Sequence, residues 1–485
     1  MNAHELLAAL LDDGTFRSWD TALAGVRPDT AYAAHLARAR AATGLDESVV
    51  TGEGRLRGRR VAVAAGEFGF LGGSIGVTAG ERLTLAAERA IRDSLPFIAA
   101  PASGGTRMQE GTVAFMQMVK ITAAVTTLKD AGLPYVVYLR HPTTGGVFAS
   151  WASLGHVTLA EPGALIGFLG PRVHAALEGR PFPPGVQTAE NLAKCGVVDA
   201  VVPAGELAGY LDRLLTAVTP APDAHITTRD DGAPQGAPPS VSLSSVPSVS
   251  VWESVLRTRE PSRPSTADLI HAAATDVAPL RDGGGLLLAL ARLSGRPCVI
   301  AGHDRTASSF SAAALRQARR GMRLAEQLRI PLVTVIDTPG AELSPEAEED
   351  GIASEIAQCM ASMIGLRVPT VSVLLGQGTG GGALALLPAD RVIAAEHAWL
   401  APLAPEGASA IVYRDTAHAA ELAARQRIGA ASLAADGIVD QVLPETGDLC
   451  RDLATALRAE LATLTRDSGD ARLAARLRRY RTIGL

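Results

Sequence analysis

At 485 residues the chain is long enough for two or more domains, each with its own core. A formal net charge of −5 argues against a general nucleic-acid binder, and the four cysteines (Cys195, Cys298, Cys359, Cys450) lie too far apart for a zinc ribbon or a disulfide framework, which fits a reducing cytoplasm. The first residues lack the basic and apolar regions of a signal peptide, and no unbroken apolar run reaches about 18 residues, so neither export nor a membrane span is expected.

Residues 1–50 carry helical patterns, one through Leu6, Leu7, Leu10 and Leu11 and a second over 31–42. A hairpin is expected over 55–70, with a turn at 54–60 leading into a strand at 61–65. A glycine-rich loop, 68–74, feeds a helix over 78–93. Strands and helices then alternate to about residue 217, as in a layered α/β domain. Residues 218–250 are rich in Pro, Ser, Gly and Val and read as an exposed linker. Helical patterns return over 251–279, and alternation continues to about 465. The arginine-rich tail over 471–480 reads as a solvated helix, with an interface role as the weaker option. The expected organisation is thus a domain at 1–217, a linker at 218–250 and a second domain at 251–485.

The two domains read as copies. Gly58-Arg59-Arg60 matches Gly295-Arg296-Pro297, Leu95-Pro96 matches Ile330-Pro331, and Leu133-Pro134 matches Val368-Pro369. Ala160-Glu161 matches Ala395-Glu396, and Gly196-Val197-Val198-Asp199 matches Gly437-Ile438-Val439-Asp440. The offset stays between 235 and 241 residues throughout, which chance similarity of two α/β units seldom maintains.

Each copy carries two glycine turns. In the first they are Ser103-Gly104-Gly105 and Thr143-Thr144-Gly145-Gly146; in the second, Pro339-Gly340-Ala341 and Gly378-Thr379-Gly380-Gly381-Gly382. A strand that enters a glycine turn and opens a helix aims backbone N–H groups at one spot. Two such turns, converging, make a donor pair for a developing oxyanion. A lone turn would be an ordinary strand–helix connection; two per half, repeated, favour the chemical reading. Arg107 and Glu110 follow the first turn, where a phosphate contact competes with a structural ion pair. His141 and His303 read as structural, Ser74 and Ser103 have no visible base, and the acidic run 346–350 reads as a solvated helix start. Met116 and Met118 read as core, and the four cysteines as inert small core residues. No phosphate-binding loop of the Gly-x-x-x-x-Gly-Lys type is present, so any ATP-driven step belongs to another protein.

Phe70-Leu71-Gly72-Gly73-Ser74-Ile75-Gly76, Ala102 through Gly111, His141 through Val147 and Ala160 through Phe168 closely resemble the β subunit of bacterial acetyl-CoA carboxylase carboxyltransferase. Ile336-Asp337-Thr338-Pro339-Gly340-Ala341, Gly378 through Leu386 and Ala404 through Ile411 resemble its α subunit, so nearly the whole chain looks like a fused β–α carboxyltransferase. The resemblance implies two tandem crotonase-like α/β domains. It also implies carboxyl transfer from biotin, on a separate biotin carboxyl carrier protein charged by a biotin carboxylase, to the α-carbon of an acyl-CoA such as acetyl-CoA. Carried over by position, Gly104, Gly105, Gly145 and Gly146 would serve the coenzyme A thioester. Gly340, Ala341, Gly381 and Gly382 would serve the biotin ureido oxygen, with Gly72, Gly73, Ser74, Arg107 and Gly380 as further binding residues. No metal is implied, and the family's N-terminal four-cysteine zinc ribbon is missing. Thr106 replaces an alanine, Thr379-Gly380 replaces Gly-Ser, and Glu342-Leu343-Ser344 replaces Tyr-Pro-Gly. Because one half of one copy would face the other half of another, a homodimer or larger homo-oligomer is expected. A biotin-independent malonyl-thioester decarboxylase and a non-catalytic carrier-binding scaffold stay open as alternatives.

Overall fold

The computed structural model describes residues 1–484 apart from 24–26, 172–173, 176–178, 180, 219–249, 282–284 and 308–309. Nearly all of the expected linker at 218–250 lies outside the described residues. The first half holds β1 (Arg17–Ser18), β2 (Val49–Leu56), β3 (Arg59–Gly66), β4 (Phe97–Ala100), β5 (Tyr135–Leu139), β6 (Thr143–Thr144), β7 (Val157–Ala160), β8 (Ile166–Gly167) and β9 (Ala200–Val201). The second holds β10 (Ala274–Arg281), β11 (Leu286–Leu293), β12 (Arg296–His303), β13 (Leu332–Thr338), β14 (Thr370–Thr379), β15 (Arg391–Ala395), β16 (Trp399–Ala401) and β17 (Gln441–Leu443).

The sheet orders are β1-β2-β3-β4-β5-β7-β9 and β10-β11-β12-β13-β14-β15-β17. In each, an antiparallel hairpin (β2 with β3, β11 with β12) is followed by parallel pairing to the end. The hairpins share a cause. Arg57 and Gly58 sit at φ +48° and +84°, Ser294 and Gly295 at +50° and +75°, the two-residue left-handed turn that matches strand twist. The strand–helix–strand crossovers that follow explain the parallel pairing. The last strands before the crossovers, such as β4 and β5, are buried throughout, as parallel strands covered on both faces must be.

One core cluster spans both halves, while a second cluster, from Ala3 to Leu215, belongs to the first half alone. The helix Gly111–Asp130 runs through the shared cluster. It belongs to the one described helical stretch, Met108–Asp130, long and apolar enough to cross a membrane, and 83% of its apolar window is buried inside the fold. Met116 and Met118 are fully buried there, as expected. Its polar side chains tie it to the second half: Thr112 Oγ1 donates to Leu400 O at 3.1 Å, and Gln117 Nε2 to Ile483 O at 3.2 Å.

Three expectations need correction. The helical pattern over 251–279 gives two helices, Val251–Thr258 and Thr266–Ala273, and then strand β10, because pairing with β11 overrides local propensity. The arginine-rich tail is a docked helix, Gly469–Thr482, rather than a solvated one. Arg476 is 1% exposed; it pairs with Asp390 at 2.7 Å and donates to the carbonyls of Met363, Ile364 and Leu366, which satisfies a charge that could not otherwise be buried. Arg481 reaches the first half, at 2.7 Å from Glu81 and 2.6 Å from Glu88, and Lys120 joins it at Glu81 at 2.6 Å. Cys298, Cys359 and Cys450 are buried as expected, but Cys195 is exposed.

Candidate active site

The site starts where β4 and β5 stop. After β4 the chain turns through Ser103, whose Oγ accepts the N–H of Gly105 at 3.0 Å. That bond folds Gly105 to φ +110°, outside the range of most side chains. The N–H of Gly104 is taken by Gly72 O at 2.8 Å. The loop carrying Gly72 and Gly73 is pressed onto the turn so closely that a Cβ on Gly73 would lie 1.9 Å from Ala102 O. Beyond β5, Thr144 N donates to Ser103 O at 2.8 Å, and Gly145 N is shared between Gly167 O (3.2 Å) and Phe168 O (3.1 Å). The two turns meet backbone to backbone, since a Cβ on Gly105 would be 3.3 Å from Gly146 N. Among the described residues, the N–H groups of Thr106 and Gly146 make no hydrogen bond within the chain.

The second half repeats this construction. Thr338 Oγ1 accepts the N–H of Gly340 at 3.1 Å, and Gly340 sits at φ +140°. Gly380 has φ +62° where Gly145 has +66°. Gly381 and Gly382 lie in the first turn of the helix Gly380–Leu384, where N–H groups lack helical partners. A Cβ on Gly382 would lie 3.2 Å from Ala341 N, and the Ala341 N–H is unpaired among the described residues. Thr106 and Gly146 thus correspond to Ala341 and Gly381 at the repeat offset of 235.

Of the eight residues singled out from the sequence, Gly104, Gly105, Gly145 and Gly340 have their N–H groups occupied inside the turns. They shape the site, and the donors without a partner among the described residues are on Gly146, Ala341 and the Gly381–Gly382 turn. Thr106 was missed as a donor; the signal that could have found it was the repeat itself, which places it opposite Ala341.

Around the first turn, Ser74, Arg107 and Glu110 form a buttress. Arg107 is 1% exposed and donates to Glu47 Oε2 at 2.9 Å, Glu110 Oε1 at 3.4 Å and Ser74 O at 2.7 Å. Glu110 also accepts the N–H of Val77 at 2.6 Å, at the start of the helix Val77–Arg92. The geometry favours the ion-pair reading of Arg107 over a phosphate contact. His141, on the exposed rim, accepts the N–H of Leu165 at its Nδ1 (3.1 Å), which suits a structural role.

The second turn rests on polar groups. His303 is fully buried; its Nδ1 donates to Val335 O at 3.2 Å and its ring meets Phe310 edge-on at 4.3 Å. Burial pushes its pKa down to about 4, so the imidazole is neutral at physiological pH. Asp337 Oδ1 accepts the N–H of Gln377 at 2.9 Å, where the ladder between β13 and β14 slips out of register. Burial pushes the Asp337 carboxyl up, opposed by that bond and by Arg305 at 3.4 Å.

Glu348 departs from the sequence reading. The helix Pro345–Glu349 forms as expected, but Glu348 is 4% exposed and accepts the N–H groups of Phe168 (2.8 Å) and Leu169 (3.0 Å) and Gln187 Nε2 (2.7 Å). Burial raises its carboxyl pKa, and these three donors oppose the rise. Periodicity could not show this, because all three partners come from the other half.

The family model for the carboxyl transferase domain matches residues 3–463. The chain belongs to the carboxyl transferase family. It is 56% identical, over 99% of its own length and 98% of the relative, to a probable biotin-dependent acyl-coenzyme A carboxylase beta3 subunit of Mycobacterium tuberculosis. It is 40% identical, over 92% of its length and 82% of the relative, to the acetyl-coenzyme A carboxylase carboxyl transferase subunits beta/alpha of Salinispora arenicola. Among solved structures, the transcarboxylase 12S hexamer core covers 96% of the chain and is itself covered to 90%, at 23% identity and a TM-score of 0.40. The two α/β units therefore make up a carboxyltransferase component of the biotin-dependent acyl-CoA carboxylase family.

Proposed function

We propose that this carboxyltransferase moves a carboxyl group from biotin, borne on a separate carrier protein, to the α-carbon of a short acyl-CoA, with acetyl-CoA giving malonyl-CoA as the leading case. Biotin, when bound, supplies the carboxyl group; the chain's part is to bind, orient and stabilise charge. The N–H groups of Thr106 and Gly146 would hold the thioester oxygen as the α-carbon becomes enolate-like, and those of Ala341 and Gly381 would hold the ureido oxygen. The single observation that carries this reading is the repetition, 235 residues apart, of two amides, unpaired among the described residues, on turns that pack backbone to backbone. Amides fixed before reaction need no reorganisation as charge develops, which is why such donors contribute about 10²–10³ in rate each. No side-chain base is required if the biotin freed of its carboxyl group takes the α-proton. We further propose that the acyl-CoA on one copy faces the biotin on a second copy, in a cytoplasmic homo-oligomer. Ile411 and Val412, 39% and 43% exposed at the end of the second-half motif, support such a contact.

The test is reconstitution of the full chain with a biotin carboxylase, a biotinylated carrier, ATP and bicarbonate, offering acetyl-, propionyl- and butyryl-CoA. Formation of the corresponding carboxylated thioester, dependent on the biotinylated carrier, is the expected result. Release of CO₂ from malonyl-CoA without any biotinylated partner would replace this reading with a decarboxylase, and inactivity on every thioester would leave a scaffold.

A further inference from the structure

One segment touches both glycine sites. The carbonyls of Gly167 and Phe168 receive the Gly145 N–H, one residue before the free amide of Gly146. The ring of Phe168 points the other way, and a Cβ on Gly381 would come within 3.2 Å of it. The backbone of Phe168 therefore braces the first site while its side chain braces the second. Its position is set from outside the first half. Glu348, on the second half, accepts both the Phe168 and Leu169 N–H groups. Gln187 closes the clasp: its Nε2 donates to Glu348 Oε1 and to Leu169 O, both at 2.7 Å, and its side chain fills the space where Gly167 would carry a Cβ (2.3 Å).

We propose that Glu348 is a positioning residue which, through Phe168, fixes the amide geometry of both sites at once and so couples the acyl-CoA side of the chain to the biotin side. This rests on the reading of the turns as donor sites. Both requirements for such a role are present. The carboxylate is buried, so its hydrogen bonds are not exchanged freely with water. The segment it holds has little slack, because Gly145 donates to it on one side and on the other its ring leaves no room for even a Cβ on Gly381, which would lie 3.2 Å away. Glu349 of the same helix instead accepts Asn191 Nδ2, at 2.9 Å on the surface.

The experiment uses the full chain carrying Glu348→Gln, with Gln187→Leu as a second, uncharged way to open the clasp and Glu349→Gln as control. Glu348→Gln turns one acceptor into a donor facing an N–H while keeping the shape. Hydrogen–deuterium exchange is followed in peptides covering 143–150 and 378–386, and carboxyl transfer in the reconstituted system. Faster exchange in both peptides, together with a kcat lowered roughly 10–100-fold at little change in KM, is expected for misaligned donors; the control should stay within about twofold of the parent. Unchanged exchange in either peptide, in both variants, overturns the coupling, whether or not the enzyme turns over. Absence of transfer by the parent chain would count against the proposed reaction alone, because the exchange measurement still decides the clasp.

Discussion

The two glycine turns have the same backbone trace but different foundations. Position for position, the first turn stands on Gly66 and Ala102, and the second on His303 and Asp337, as the pairing of Gly66 with Val49 and of His303 with Leu286 at matching hairpin ends shows. In the first half the backbones touch: a Cβ on Gly66 would lie 2.6 Å from Ala102 N. In the second half the gap is filled by an imidazole, a carboxylate and the Arg305 guanidinium. One architecture can be held by contact between main chains or by a buried polar network, and the two respond to different insults. Contact fails when volume is added, and a polar network fails when charge is changed.

The largest effect is expected where the halves are alike. Replacing Gly146 or Gly381 by Pro removes the donor N–H from its turn, and each change should lower kcat by about 10²–10³. Equal losses would confirm that the halves share the chemistry, whereas loss from Gly146→Pro alone would mark the second site as inactive.

The next effect separates them. His303 has a folded-state pKa near 4 against an ordinary 6.5, so between these values the unfolded chain binds more protons and stability falls as pH drops from about 6.5 towards 4. The loss should reach up to about 3 kcal/mol by pH 4. The difference in urea-unfolding stability between the parent and His303→Asn, followed against pH, isolates this group from the carboxylates, and a difference independent of pH would refute it. Conversely, Gly66→Ala should cost about 1–3 kcal/mol at any pH, through the added volume alone, in the same urea measurement.

The smallest effects concern the hydroxyls that pin each turn. Ser103→Ala and Thr338→Val each leave a glycine N–H without its partner, costing about 1–3 kcal/mol if the amide stays dry and less if water enters. We expect the lower end for both, with kcat reduced about tenfold, and a larger change in KM for acyl-CoA from Ser103→Ala than from Thr338→Val.

Much of this was legible in the sequence. The repeat, the hairpin turn at Gly58 and the four glycine turns follow from local rules: glycine at positive φ, apolar strand runs and short crossovers. The family resemblance rested on the same stretches. Less legible was the state of each amide. Gly105 and Gly146 are both glycines in turns, yet one N–H is bound to Ser103 and the other has no partner among the described residues, and that depends on what folds against them.

The chain alone determined that two copies of one α/β unit exist and where their backbones must turn sharply, because backbone freedom and apolar periodicity are written residue by residue. Only the tertiary structure decided that Glu348 is buried beside Phe168, that Arg476 sits in the core on Asp390, and that Thr106 and Gly146 keep open donors. The physical reason is that burial and hydrogen-bond satisfaction belong to pairs of groups, and most of these pairs join residues far apart along the chain.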